Sequence, residues 1–111
     1  MNIEETLIIY IEGEELFSLG RTLITPGAKE ALEEISLNGP YEFSDLVSLF
    51  FMFHSRGYWG DVSGHDRREN NFSVKNDLRI LSAYQITKDL KIWVITEADR
   101  SATTISLAGE Y

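Results

Sequence analysis

The chain has 111 residues, of which 43% are hydrophobic and 25% are charged, as in folded domains and unlike disordered chains. It has no cysteine, which excludes disulfides and thiolate metal sites and fits a reducing, cytoplasmic location. Its longest uninterrupted apolar run, residues 49–53, is too short to cross a bilayer, so no membrane partner is expected. With no repeat and no low-complexity linker, residues 1–111 are interpreted as a single domain.

The net charge of −8 is concentrated in the first 45 residues, which contain ten acidic residues and only two basic ones, Arg21 and Lys29. The remaining residues carry eight acidic and eight basic groups. Phosphate contacts require cations, so direct nucleic-acid binding is not expected of the N-terminal half. The charge permits a basic protein partner, or a surface that imitates nucleic acid, although acidic residues also simply keep small proteins soluble.

Two short strands are predicted at the start of the chain. Residues 6–11 are rich in β-branched side chains, and the acidic residues that follow can turn the chain into a second strand at residues 16–20. Residues 1–15 are interpreted as an N-terminal extension or an extra strand.

Two of three predicted helices have clear starting signals. The first begins after Thr25, which can cap it, with Pro26 at the first helical position, where a missing N–H costs nothing. The third, at residues 64–75, follows a capping sequence that begins at Ser63 and places Asp66 three residues later. Its weak apolar face indicates a helix on the surface of the domain.

The second predicted helix, residues 40–54, is apolar on nearly all sides and rich in phenylalanine. Such a helix must be buried on more than one side. In a domain of this size, part of that surface is expected to meet a second copy of the chain. The sequence therefore predicts a homodimer through this helix, which Phe51→Glu would convert to a monomer.

Three strands follow, at residues 78–86, 90–97 and 103–107, and alternating side chains indicate an antiparallel meander. The predicted fold class is α+β. It consists of a mostly antiparallel sheet, built from this meander and the N-terminal strands, packed against two to three helices.

The connection between the last two strands carries Glu97, Asp99 and Arg100 where a simple turn would use Gly, Asn or Pro. It is either a self-satisfied polar turn or a recognition site held on a rigid hairpin. If it is structural, Asp99 and Arg100 should pair with each other or with nearby backbone groups. Replacing Arg100 with alanine should then mainly lower stability.

His54 and Asp61 are the residues closest to an acid–base pair, because a carboxylate partner would raise the pKa of an imidazole. His54 also suits the negative end of a helix, which is the simpler interpretation. Trp59 is a core plug or a stacking platform. Neither histidine has a second ligand at helical spacing, and no phosphate or dinucleotide motif occurs, so no metal or cofactor is expected.

Several segments resemble a family of short bacterial proteins described as plasmid-related, which have no established mechanism. The most distinctive are residues 54–61 and 93–101, with further similarity at residues 79–84 and at the terminal Glu110-Tyr111. Tyr58 departs from the pattern, since an aspartate is usual there. The second helix is longer than in the family pattern, and the first 15 residues look like an extension. The resemblance implies a cytosolic protein of mobile-element context and supplies no catalytic residues.

Two functions remain open. The first is a non-enzymatic binding or accessory module, in its sharper form an acidic decoy for a nucleic-acid-handling or defence protein. The alternative is a small hydrolase or nuclease with a polar pocket around His54, Asp61, Glu97, Asp99 and Arg100. The candidate functional residues for either are His54, Trp59, Asp61, Arg79, Tyr84, Glu97, Asp99 and Arg100. Convergence in one cleft would favour the enzyme, and dispersal would favour the binding module.

Overall fold

The computed structural model of the protein describes residues 13–110, which form four strands and three helices. The strands are β1 (Arg21–Ile24), β2 (Ile80–Thr87), β3 (Leu90–Thr96) and β4 (Ala102–Leu107), and the helices are α1 (Pro26–Leu37), α2 (Phe43–Ser55) and α3 (Gly64–Asn76). The four strands form one sheet in the order β1-β4-β3-β2, with β1 parallel to β4 and the other neighbours antiparallel. The predicted α+β class and its C-terminal meander are confirmed.

The helices α1 and α3 begin where their capping residues predict. The Thr25 hydroxyl accepts a hydrogen bond from the N–H of Ala28 at 3.3 Å, and the Ser63 hydroxyl accepts one from Asp66 at 3.0 Å. The predicted start of α2 at Pro40 is wrong. Glu42 has an extended backbone, and its carbonyl accepts the first helical bond, so Pro40 remains in the connection.

The core lies between one face of the sheet and the helices α1 and α2. Its buried side chains are Ala28, Leu32, Leu46, Phe50, Phe53, Tyr84, Ile92, Val94 and Ile105. Full burial of one large apolar side chain contributes about 1.5–3 kcal/mol, so this face carries most of the stabilisation. Phe50 and Phe53 are therefore used inside the domain, whereas Phe51 is half-buried. No described helix is long and apolar enough to span a membrane.

The predicted strand at residues 16–20 is wrong, and the one at residues 6–11 lies outside the described residues. Residues 16–20 cross the end of α2, where the N–H of Leu16 donates to the Ser55 carbonyl at 2.8 Å. Gly20, with φ +63°, then turns the chain into β1. The missed strand β1 has only four residues and is defined by its parallel pairing with β4.

Glu110, which follows β4, ties that end of the sheet to the start of α1. Its carboxylate accepts hydrogen bonds from the Thr25 hydroxyl at 2.5 Å and from the N–H groups of Gly27 and Leu107, both at 3.0 Å. The Thr25 hydroxyl is the main cause that lowers the pKa of Glu110, followed by the Leu107 N–H. A negative charge here also suits the positive end of the helix.

We expect Glu110→Gln to lower the melting temperature at neutral pH, because an amide has one acceptor oxygen where the carboxylate uses two, and that oxygen carries no charge. The folded pKa lies below the unfolded one, so the stabilisation is present above the ordinary carboxyl range. It is lost as the pH falls through the lowered folded value. Thermal melts of both proteins across this range should therefore converge on acidification.

Glu42→Gln is the matched control, because Glu42 also precedes a helix but its side chain makes no capping hydrogen bond. This variant should melt close to the wild type. Equal losses in the two variants would show that the bonds of Glu110 add nothing to stability.

Candidate functional site

His54 lies in the last turn of α2, is fully buried, and has hydrogen-bond partners at both ring nitrogens. Its Nδ1 is 2.5 Å from the Ser82 hydroxyl, and its Nε2 is 2.8 Å from the Thr96 hydroxyl. The Thr96 hydroxyl contacts that of Thr103 at 2.7 Å, and Thr103 donates to the Leu19 carbonyl at 2.7 Å. This chain of bonds joins α2 to three strands and to the segment before β1.

The carbonyl at the end of this chain fixes the direction of its protons. A carbonyl can only accept, so the Thr103 hydroxyl donates to it and accepts from Thr96. The Thr96 hydroxyl then accepts from Nε2–H of His54, which leaves Nδ1 to accept from Ser82. Burial, helped by the positive charge of Arg100, lowers the pKa of His54 from 6.5 to about 3. His54 is therefore a neutral, fully bonded histidine.

Trp59 is buried beside this histidine. Its ring meets that of His54 edge-on at 5.9 Å and stacks on Phe17 at 6.2 Å, while Phe17 meets His54 edge-on at 5.3 Å. The indole N–H donates to the Asn71 side chain at 3.1 Å. The simpler interpretation of Trp59 as a core plug thus agrees with its position, because the ring is only 2% exposed.

Arg100 joins the hairpin between β3 and β4 to the end of α3. Its guanidinium donates to the carbonyls of Leu78 at 2.7 Å and Ser73 at 2.8 Å, and to two carbonyls of its own turn. It also lies 5.6 Å above the Phe17 ring. A cation suits the negative end of a helix, so Arg100 completes the C-terminus of α3. Its pairing with backbone groups agrees with the structural interpretation of this turn.

The side chain of Asp99 is bound within the hairpin. The Asp99 carboxylate accepts a hydrogen bond from the N–H of Ser101 at 2.9 Å. Hydrogen bonds from the Ser101 side chain and backbone lower the pKa of Asp99, which stays on the exposed side of the turn. Glu97 is half-buried, and its carbonyl accepts from the N–H of Arg100 at 2.9 Å.

We expect Arg100→Ala to lower the free energy of unfolding by at least about 2–3 kcal/mol, because one hydrogen bond from a charged group is worth about 1.5–3 kcal/mol and the bonds to Ser73 and Glu97 are partly buried. Chemical denaturation measures this loss. Arg67→Ala, which removes an exposed arginine from α3, is the control and should change stability by less than about 0.5 kcal/mol. Equal stability of Arg100→Ala and the wild type would contradict the structural role.

Asp61 closes the outer edge of β2, where unpaired backbone groups would otherwise invite another strand. Its N–H donates to the Ala83 carbonyl at 2.6 Å, and its carboxylate accepts from the N–H of Gln85 at 2.8 Å. Two residues before Ala83 along this edge, the Asn70 amide makes two bonds with the backbone of Leu81, at 2.7 and 3.1 Å. Asp61 and Asn70 thus substitute for a missing neighbouring strand.

The eight predicted residues are divided among three places. His54, Trp59 and Arg100 meet around Phe17, with Glu97 and Asp99 in the adjoining turn. Asp61 lies on the outer edge of β2, and Arg79, just before that strand, lines a polar surface cavity of about 220 Å³ with Asp66 and Glu69. Tyr84 lies in the core, and its hydroxyl donates to the Tyr58 carbonyl at 2.6 Å.

An apolar cleft missed by the sequence analysis opens between the end of α1, the start of α2 and the β2–β3 hairpin. Its inner part has a volume of about 310 Å³ and is lined by Leu32, Ile35, Tyr41, Leu46, Phe50 and Ile86. An outer part of about 390 Å³ shares Ile35 and Asn38 with it and reaches Glu34 and Asp89. We call the two parts together the α1–hairpin cleft.

The rim of this cleft is acidic. The exposed carboxylates of Glu34 and Asp89 form no hydrogen bond or ion pair with another residue of the 13–110 range. Lys88 belongs to the same turn as Asp89 but does not line the cleft. The α1–hairpin cleft therefore combines an apolar interior with two carboxylates that can accept bonds from a ligand.

Among residues 13–110, no group of three His, Cys, Asp or Glu side chains is placed to hold a metal ion. Comparisons with protein-family models, with curated proteins and with solved structures gave no match to this chain. The resemblance to plasmid-related proteins therefore stays a prediction, and any function must be argued from the geometry.

Proposed function

We propose that the protein is a non-enzymatic binding or accessory module that acts on a basic protein partner. The observation that carries this proposal is the state of His54, the best candidate for acid–base chemistry. It is buried and neutral, and both ring nitrogens are bonded to hydroxyl groups of the sheet. Neither nitrogen is presented to a substrate, so the residue supports the fold rather than a reaction.

The acidic surface supports a partner of opposite charge. In the described part of the first 45 residues, α1 and the start of α2 expose Glu30, Glu33, Glu34, Glu42 and Asp45. Within residues 13–110, the one ion pair involving this set is between Lys29 and Glu33, at 3.7 Å. A surface of one sign steers a partner of the other sign and selects against wrong partners.

The resemblance to plasmid-related proteins suggests which partner is involved. A cytoplasmic protein of a bacterial mobile element meets host proteins that handle or attack nucleic acid. Such proteins bind phosphates through lysine and arginine, and an array of carboxylates can occupy the same groove. The protein is thus proposed to act as an acidic decoy. No observation in the described residues favours the alternative hydrolase or nuclease over this function.

A homodimer is part of the same proposal. The half-buried Phe51 and Met52 of α2 line a surface groove with Ser48 and also pack against the core, which contains Phe50 and Phe53. Phe51→Glu should convert the dimer to a monomer. Light scattering checks this, and a wild type that is monomeric at high micromolar concentration would refute the dimer.

Affinity capture from a bacterial host, with the 111-residue protein as bait, tests the proposed function. We expect a reproducible basic partner that handles nucleic acid, and we expect duplex DNA to compete with the bait for it. Competition distinguishes a decoy from a module that binds elsewhere on the partner. A reproducible partner with an acidic or neutral surface would contradict the proposal.

A further inference from the structure

We propose that the α1–hairpin cleft is the specific contact site for the basic partner, and that it takes one large apolar side chain flanked by lysine or arginine. This inference rests on the proposed function, because that function supplies the basic partner. It adds the place of contact and the chemistry that is recognised.

The interior of the cleft fits one apolar side chain. Its inner volume of about 310 Å³ is at the lower end of the roughly 300–1,000 Å³ found for ligand pockets. Aliphatic and aromatic groups, from Leu32 to Ile86, form the walls, and Phe50 at the base is itself 1% exposed. A buried aromatic or aliphatic anchor in such a pocket is the usual centre of a protein interface.

The rim selects the residues next to that anchor. Glu34 and Asp89 lie in the outer part of the cleft, on α1 and on the hairpin, so a ligand entering between them has a carboxylate on each side. Since neither carboxylate is paired within residues 13–110, each can form an ion pair with an entering lysine or arginine. An acidic peptide would instead bring like charges together, which opposes binding.

The acidic surface of α1 extends this complementarity beyond the cleft. Glu30 and Glu33 are exposed on the same helix as Glu34, and Glu42 is exposed just before α2. A basic segment anchored in the cleft would therefore meet further carboxylates on the surrounding surface. The apolar side chain therefore determines where the partner binds, and the carboxylates require the partner to be positively charged.

The probe is a blocked pentapeptide with a central phenylalanine between two pairs of lysines, titrated into the ¹⁵N-labelled protein and followed by NMR. Two matched peptides replace the phenylalanine with alanine or the lysines with glutamates. We expect the first peptide to shift the amide signals of Ile35, Asn38 and Ile86, and both matched peptides to bind much more weakly.

The variant Glu34→Gln/Asp89→Asn should weaken the lysine peptide about tenfold, as the loss of two surface ion pairs implies. The control Asp66→Asn/Glu69→Gln removes two charges of α3, which lie outside the cleft lining and outside the acidic surface of α1, and should bind nearly as the wild type does. All four substitutions are at exposed positions, so the fold should be kept. Equal weakening by both double variants, or shifts confined to another surface, would overturn the site.

The same variants separate this inference from the proposed function. If the captured host partner binds the wild type and Glu34→Gln/Asp89→Asn equally, the cleft is wrong and the proposed function stands. If the peptide binds the cleft as expected but the host partner is not basic, the proposed function fails. The cleft then stands as a site for an apolar side chain flanked by lysine or arginine.

Discussion

Gly60→Ala is expected to lower the free energy of unfolding by about 3 kcal/mol or more, the range for backbone strain combined with a steric clash. Gly60 has φ +77°, and a Cβ atom there would lie 2.1 Å from the Ala83 carbonyl and 2.6 Å from the Tyr84 ring. The close approach is needed because Trp59 and Asp61, on either side, bond to the backbone of Ala83. An added methyl group would force this segment away from β2.

Gly109→Ala is the matched control for the backbone conformation alone. Gly109 has φ +85°, but a Cβ atom there would meet nothing within 4 Å. This variant should lose only about 1–2 kcal/mol, the usual penalty for a left-handed residue. Denaturation followed by the fluorescence of Trp59 and Trp93 measures both losses. Equal losses would show that the contact of Gly60 with β2 is unimportant.

His54→Gln is expected to cost about 2–4 kcal/mol at neutral pH, because it breaks a buried network and leaves hydroxyl groups without partners. Glutamine can still donate to Thr96, but it lacks the second ring nitrogen that accepts from Ser82. Urea denaturation of the two proteins measures the difference.

This difference should shrink in acid. The folded pKa of His54 is about 3, below its ordinary value of 6.5, so the unfolded chain binds a proton in this interval that the folded chain does not. The stability of the wild type should therefore fall as the pH drops below the ordinary value, by up to about 1.4 kcal/mol per pH unit. The unfolded His54→Gln chain cannot bind this proton at residue 54, so the variant should lack this part of the fall in stability.

Thr96→Val distinguishes the loss of the hydrogen bonds around His54 from the effect of protonating His54. It removes a hydroxyl that bonds to His54 and to Thr103 but keeps the histidine. This variant should be less stable than the wild type and should keep the histidine-dependent loss in mildly acidic solution. If His54→Gln shows the same pH dependence as the wild type, the neutral state assigned to His54 is wrong.

The parts of the fold that depend on neighbouring residues could be predicted from the sequence. The Thr25-Pro26 start and the Ser63 cap each act within one helical turn, so their effect is visible locally. The strand β1 was missed because its four residues acquire a partner only when β4 is in place. Residues 16–20 were misassigned because they bond to the end of α2 and to β4 and do not pair with a neighbouring strand.

The candidate site depended on contacts that sequence spacing does not reveal. His54 could be placed at the end of a helix, but its partners Ser82 and Thr96 come from separate strands. The α1–hairpin cleft was missed because Glu34 and Asp89 are 55 positions apart in the sequence. The apolar spacing of α1 and α2 was visible, but not the gap left between their ends and the hairpin.

The most direct test of a function based on the acidic N-terminal surface is the affinity of the captured partner for two charge-matched variants. One replaces Glu30, Glu34 and Glu42 with glutamine, and the other replaces Asp66, Glu69 and Asp77 with asparagine or glutamine, all at exposed positions. We predict that the first variant loses most of the affinity at physiological salt, while the second binds nearly as the wild type does. Equal affinities for the two variants would contradict the account.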